Sequence, residues 1–189
     1  MTADAGDRLA TAMRGFSARM EHVRPEELGR ATPCADWDVR ALVEHVVGEL
    51  LWTGPLLAGR TIADVGDSLE GDHLGADPTA GSVAAVAVAQ DAVTGVTDWS
   101  APVHVSYGDV PAQSYVDEVA TDVLVHTWDL ARAVGADEQL DPELVQLALQ
   151  RLDGQQDMLA ASGLFGPPVT VDEDAPAQTR LLAALGRRQ

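Results

Sequence analysis

Between Glu118 and Gly135 the chain reads EVATDVLVHTWDLARAVG, an apolar segment carrying four residues able to do chemistry: Glu118, Asp122, His126 and Asp129. At about 100° per residue the four fall on one narrow helical stripe. Asp122 and His126 stand one turn apart, with Cβ atoms about 5–6 Å from each other. A carboxylate and an imidazole so placed can share one divalent ion, but a third ligand must come from elsewhere. His45 is the candidate, on the flank of the apolar face of WDVRALVEHVVGELLW and one turn before Glu49. With Asp122 and His126 it makes a set of two imidazoles and one carboxylate. Such a set suits zinc with an open position and can also hold nickel, manganese or iron. Asp129 then reads as the carboxylate that holds an imidazole's other ring nitrogen. Glu49 and Glu118 are reserve ligands.

Each of these residues also has a plainer role. Asp122 can be a solvated face residue, His126 a satisfied core histidine, and Asp129 a partner of Arg132 at i+3. His45 can be a hydrogen-bonded border residue. The other histidines fit simpler places: His22 near a helix end, His73 in a solvated loop, and His104 on the solvent side of an alternating strand. Cys34 sits in the loop before the second helix with no charged activator evident in sequence, and reads as a small buried residue rather than a nucleophile.

The elements that must position these residues are helical. Leu9, Ala12, Met13, Phe16 and Met20 recur at three and four, which predicts a first helix from about Ala3 to Val23. Residues 24–35, with Pro25, Gly29 and Pro33, read as a loop, after which Asp36 can cap a second helix from Trp37 to about Leu57. Gly54-Pro55 can bend or end that helix. Residues 58–78 hold four glycines and several Asp and read as a mobile loop, with room for one short helical turn. The Ala/Val-rich segment from Thr79 to Asp98 could be a buried strand; its length and Ala content favour a third helix. PVHVSYGDVP alternates around Gly108-Asp109 and predicts a short hairpin. A fourth helix from about Ala112 to Val134 is closed by Gly135. Asp141-Pro142 starts a fifth, running to about Ala161, and Thr179 to Leu185 forms a short closing helix. With no repeat and no linker, residues 1–189 read as one domain of helical-bundle class, in which inward side chains on facing helices can build a metal site.

Composition narrows the partners. A net charge of −18, with all twelve basic residues Arg, disfavours nucleic acid and anionic membrane surfaces. The single cysteine permits no internal disulfide and excludes a multi-thiolate zinc site. The first twenty residues are charged throughout and lack the apolar core of a secretory signal, and no run is long enough for a membrane span. A cytoplasmic setting is expected.

Two stretches carry a family resemblance: T-P-C-A-D-W-D-V-R-A-L-V-E-H from Thr32 to His45, and D-V-L-V-H-T-W-D-L-A-R-A-V-G from Asp122 to Gly135. In that order they resemble the actinobacterial branch of the DinB-like helical metalloproteins, the family of mycothiol-dependent maleylpyruvate isomerase. F-G-P from Phe165 and R-L-L-A-A-L-G-R from Arg180 extend the likeness over nearly the whole chain. The resemblance implies an all-α, DinB-like four-helix bundle with a long crossover, here with extra C-terminal helices. It implies a divalent metal, zinc first and nickel as the alternative, held by His45, Asp122 and His126. Asp122 stands where the isomerase has Glu, and the isomerase carries an additional C-terminal domain. In the thiol-dependent chemistry so implied, a metal-bound mycothiol gives up its proton and its thiolate attacks an electrophilic carbon, leaving again in an isomerase and staying in a transferase. The other class of function is a non-catalytic metal-binding or stress-response helical module acting as a homodimer.

Overall fold

The computed structural model describes residues 4–154 and 166–189, and these group into two compact units, Met1–Glu138 and Gln139–Gln189. The chain is mostly helical, as predicted, with one two-stranded hairpin.

In the first unit, α1 (Ala5–Met20), α2 (Val39–Leu57), α4 (Pro78–Thr94) and α5 (Ala112–Val134) are the long helices. They pack as a ring in the order α1, α5, α2, α4. Only α2 and α4 are neighbours both along the chain and in space. The connections from α1 to α2 and from α4 to α5 therefore cross the bundle diagonally, and α5 comes to lie between α1 and α2. The apolar stripe of α1 is buried as its spacing requires, from Leu9 through Phe16 to Met20. Arg8 and Asp117, both mostly covered, tie α1 to α5 at 2.6 Å. The Ala/Val segment is helix rather than strand: α4 is capped by the Asp77 carboxylate, which accepts from the Ala80 amide at 3.1 Å, and starts at Pro78. It buries only small residues and one Val, which lets it lie close to α2.

Helix α2 starts two residues later than the sequence suggests. Asp38, not Asp36, accepts from the Ala41 amide at 2.9 Å. Asp36 instead takes a left-handed conformation, φ 68°, which turns the chain just before the helix. Pro55 lies inside the last turn of α2 and does not end it before Leu57, because a proline there removes only one intrahelical bond.

The segment after α2 is more ordered than a mobile loop. It contains α3 (Ile62–Val65), closed by reciprocal bonds between Thr61 and Asp64, and a 3₁₀ turn over Gly66–Leu69. His73 is not merely solvated: its amide donates to Glu44 Oε1 at 2.8 Å, and its ring meets the Leu69 carbonyl at 2.7 Å. This loop packs so closely on α4 that a Cβ on Gly81 would stand 2.7 Å from the His73 carbonyl oxygen.

The hairpin pairs β1 (Pro102–Val105) with β2 (Gly108–Pro111), His104 opposite Asp109. It packs on α2 and α5. The second unit holds α6 (Pro142–Leu152) and α7 (Ala177–Ala184), which pack on each other. Asp141 caps α6 through the Glu143 and Leu144 amides, as its Asp-Pro start predicts. The predicted extension of this helix toward Ala161 lies outside the described residues beyond Gly154, as does Phe165 of the F-G-P motif. No helix among the described residues is long and apolar enough to cross a membrane.

Candidate metal centre

Because α5 is one uninterrupted helix of 23 residues, its polar stripe faces one way along its whole length. Because α2 packs beside α5, His45 meets that stripe. His45 Nε2 lies 3.0 Å from Asp122 Oδ2, and His126 Nε2 lies 3.4 Å from Asp122 Oδ1. One donor atom from each of the three residues falls within 4.8 Å of the other two. Donors bound at about 2.0–2.2 Å in a tetrahedral shell stand roughly 3.3–3.6 Å apart, so the distances from Asp122 to the two imidazoles are near the spacing that one small divalent ion needs.

Behind this set the second ring nitrogen of His126 is also engaged. Nδ1 lies 3.0 Å from Asp129 Oδ2, and Asp129 is fully buried. A carboxylate there fixes the ring and leaves Nε2 facing Asp122 and His45. Asp129 thus lies on the Nδ1 side of His126, and Asp122 on the Nε2 side. Arg132, its alternative partner in the sequence, pairs with Glu138 at 2.8 Å and lies over the Trp128 ring.

The electrostatics follow from the geometry. Burial alone would raise the Asp122 pKa, but the charge and hydrogen bond of His126, with the bond and charge of His45, hold it well below the usual carboxylate range. Burial alone would lower the His126 pKa. Asp122, by charge and hydrogen bond, and then the bonds with Asp129 and Cys34, outweigh it and raise that pKa well above the usual imidazole value. A cation at Nε2 would take the place of a proton there, so the two compete for the imidazole. Burial, and then the Asp122 charge, push the pKa of Glu49 up against the opposing effect of the two imidazoles.

The reserve residues have gone to different places. Glu49 lies close enough to sense all three candidate ligands but contributes no donor to their cluster. Glu118 accepts from the Tyr107 hydroxyl and so ties α5 to the hairpin. His104 pairs with Asp109 at 2.7 Å on the exposed hairpin. His45 and Asp122 side chains each keep 28% exposure against 7% for His126, so the set opens on its His45–Asp122 edge.

Three residues near the centre were not readable as such. Trp37 lies against both imidazoles, its ring centroid 4.8 Å from that of His45 and 5.7 Å from that of His126. Cys34, expected as a small buried side chain, is only half-buried and donates to Asp129 Oδ2 at 3.2 Å with its sulfur 3.7 Å from His126 Nδ1. Tyr115, on the same stripe as Asp122, is buried with its hydroxyl unpartnered among the described residues. For Trp37 and Cys34 the available signal was their place in the stretch that ends at His45.

A ring of packed helices that brings two imidazoles and a carboxylate to one point, with a second carboxylate behind one imidazole, defines a helical protein with an open three-donor centre. Residues 9–131 match the family described as the mycothiol maleylpyruvate isomerase N-terminal domain, and the chain belongs to that family. It is also similar to the uncharacterized proteins MT0763 and Rv0738 of Mycobacterium tuberculosis (strains CDC 1551 / Oshkosh and ATCC 25618 / H37Rv), each 36% identical over 188 residues, with 93% of both chains covered. Among solved structures it resembles the mycothiol-dependent maleylpyruvate isomerase and a mutant form of it, each with a TM-score of 0.65 at 18% identity, over 93% of this chain and 81% of that chain. At that identity the structural likeness is one of fold.

Proposed function

We propose that the protein binds one divalent cation through His45, Asp122 and His126 and uses it to carry out a mycothiol-dependent isomerisation or S-transfer on a small electrophile. The observation that supports this most is the convergence of three donors on two helices while Asp129 holds the far side of His126. Zinc fits the donor set, with nickel as the alternative. A cation bound there would lower the pKa of a coordinated thiol and stabilise the thiolate.

The chain's own residues set up the rest. Asp122 is the one anionic donor of the three, and Asp129, on Nδ1, would orient His126 so that a deprotonated Nε2 faces the cation. Trp37 walls the two imidazoles on one side. The more exposed His45–Asp122 edge is where a thiol and a second substrate would enter. A single free cysteine and a small-molecule thiol partner both suit a reducing, cytoplasmic setting.

Purified protein loaded with cobalt(II) and titrated with mycothiol tests the proposal. We expect about one ion per chain, a thiolate-to-metal absorption band that saturates with mycothiol, and loss of both in His126→Ala. Failure of folded protein to take up an ion defeats the proposal outright. Uptake without mycothiol binding or turnover, together with a dimeric state in solution, would select the non-catalytic homodimeric module instead.

A further inference from the structure

The turn before α2 is built around a single outcome, the placing of Cys34 and Trp37 on two sides of His126. Ala31 and Asp38 bridge across its base. Inside it the Thr32 amide and hydroxyl both donate to the Trp37 carbonyl, at 3.2 and 2.9 Å. The Cys34 amide donates back to Thr32 Oγ1 at 3.1 Å, and the Trp37 amide donates to the Cys34 carbonyl at 3.2 Å. Asp36 completes the turn in the left-handed region, where a non-glycine residue is uncommon. These four hydrogen bonds and one uncommon backbone conformation thus hold the six-residue clasp, Thr32 to Trp37, in one shape.

The thiol at its tip reaches the buried carboxylate. Cys34 Sγ and His126 Nδ1 approach the same oxygen, Asp129 Oδ2, at 3.2 and 3.0 Å. A carboxylate oxygen with two donors on it cannot swing away from the imidazole without giving up both. Asp129 is itself fully buried, so a bond lost there is not restored by bulk water.

We infer that Cys34 is a positioning residue of the metal centre: its thiol hydrogen bond fixes Asp129, which fixes His126, and the affinity for the cation depends on it. The inference rests on the metal reading above. It gives the one cysteine a role as a hydrogen-bond donor behind the centre, neither a nucleophile nor a ligand. Loss of a partner of this kind typically costs about 10–100-fold in metal affinity.

The test compares Cys34→Ala and Cys34→Ser with the wild type, measuring zinc affinity by chelator competition, the cobalt(II) absorption spectrum, and the melting temperature of metal-free protein. Alanine removes the donor, and about a tenfold weakening is expected. Serine keeps an O–H donor, and affinity within about threefold of wild type is expected. A purely structural cysteine predicts the reverse order, with serine no better than alanine. That order, or alanine with wild-type affinity, overturns the inference. A thiolate-to-cobalt band in the wild type without added thiol, absent from both variants, also overturns it, because Cys34 would then be a ligand. Wild-type protein that binds no metal removes the underlying reading and this inference together, whereas wild-type binding with indifferent variants removes this inference alone.

Discussion

Replacing Asp129 with Asn probes the centre without touching any of the three proposed ligands. The amide is nearly isosteric with the carboxylate, so the packing of a fully buried side chain is kept. What changes is charge and donor count. Asp129 Oδ2 receives His126 Nδ1 at 3.0 Å and Cys34 Sγ at 3.2 Å. An amide offers one neutral oxygen in place of the anion, and its NH₂ group takes the place of the second carboxylate oxygen. The imidazole loses the anion that makes its far nitrogen a better electron donor, and orientation loosens. The expected cost is about 10–100-fold in metal affinity, or roughly 1.4–2.7 kcal/mol. Folding stability of the metal-free protein should fall less, because the charge-assisted bond that is lost is offset by no longer burying a carboxylate. Chelator competition for zinc and urea unfolding of the metal-free protein separate the two effects. Affinity unchanged within twofold, or an affinity loss matched by an equal loss of folding free energy, would refute the role given to Asp129.

The pH dependence has a definite sign. His126 has its pKa raised in the metal-free fold, so a proton must leave before Nε2 can donate. Metal affinity should rise with pH until that pKa is passed, with proton release visible by calorimetry in buffers of different ionisation enthalpy; uptake with no proton released below pH 7 would contradict it. The same shift stabilises the metal-free fold fully below the unfolded imidazole value of about 6.5 and loses that stabilisation as pH rises through the folded value. Asp122→Asn should abolish tight metal binding and bring the His126 pKa down, since Asp122 is the main influence raising it; NMR titration of the imidazole reads this directly. Gly81→Ala should destabilise the first unit by about 1–3 kcal/mol in urea unfolding, because its Cβ would meet the His73 carbonyl at 2.7 Å, and backbone must move to admit it. Asp36→Val should cost about 1–2 kcal/mol and weaken metal binding with it, since a β-branched residue tolerates φ 68° poorly and the clasp carries Cys34.

What could be read from the sequence is what helical periodicity encodes. The stripe through Asp122, His126 and Asp129, the apolar faces of α1, α2 and α5, and the closure at Gly135 all follow from a 3.6-residue repeat and from chain-end chemistry. That His45 meets the stripe required a second helix at a particular rotation, which the apolar face of α2 supplied. The beginning of α2 was less legible, because Asp36, which the sequence puts forward as the cap, stands two residues before Asp38, which fills that place. Only the tertiary clasp decides between them, taking Asp36 for the left-handed turn and leaving Asp38 to cap. Cys34 was illegible for a related reason. Its partner Asp129 lies 95 residues away, and no local pattern announces a hydrogen bond across that separation. The loop between α2 and α4 hid its order likewise, since the bond from the His73 amide to Glu44 is a tertiary one.

The distinction between holding a cation and using one turns on how the donor set is enclosed. A structural zinc site is normally closed by four protein ligands, which exclude solvent and substrate alike. Here the described residues bring three donors to one point, and the two on the open edge, His45 and Asp122, are four times as exposed as His126 at 28% against 7%. The carboxylate next along α2, Glu49, does not close that edge: it stays outside the donor cluster. Burial, and then the Asp122 charge, raise its pKa, the cost of ionising a second carboxylate beside the first. The His45–Asp122 edge is thus left open by the described residues, and an open edge is what the proposed thiol-dependent reaction needs.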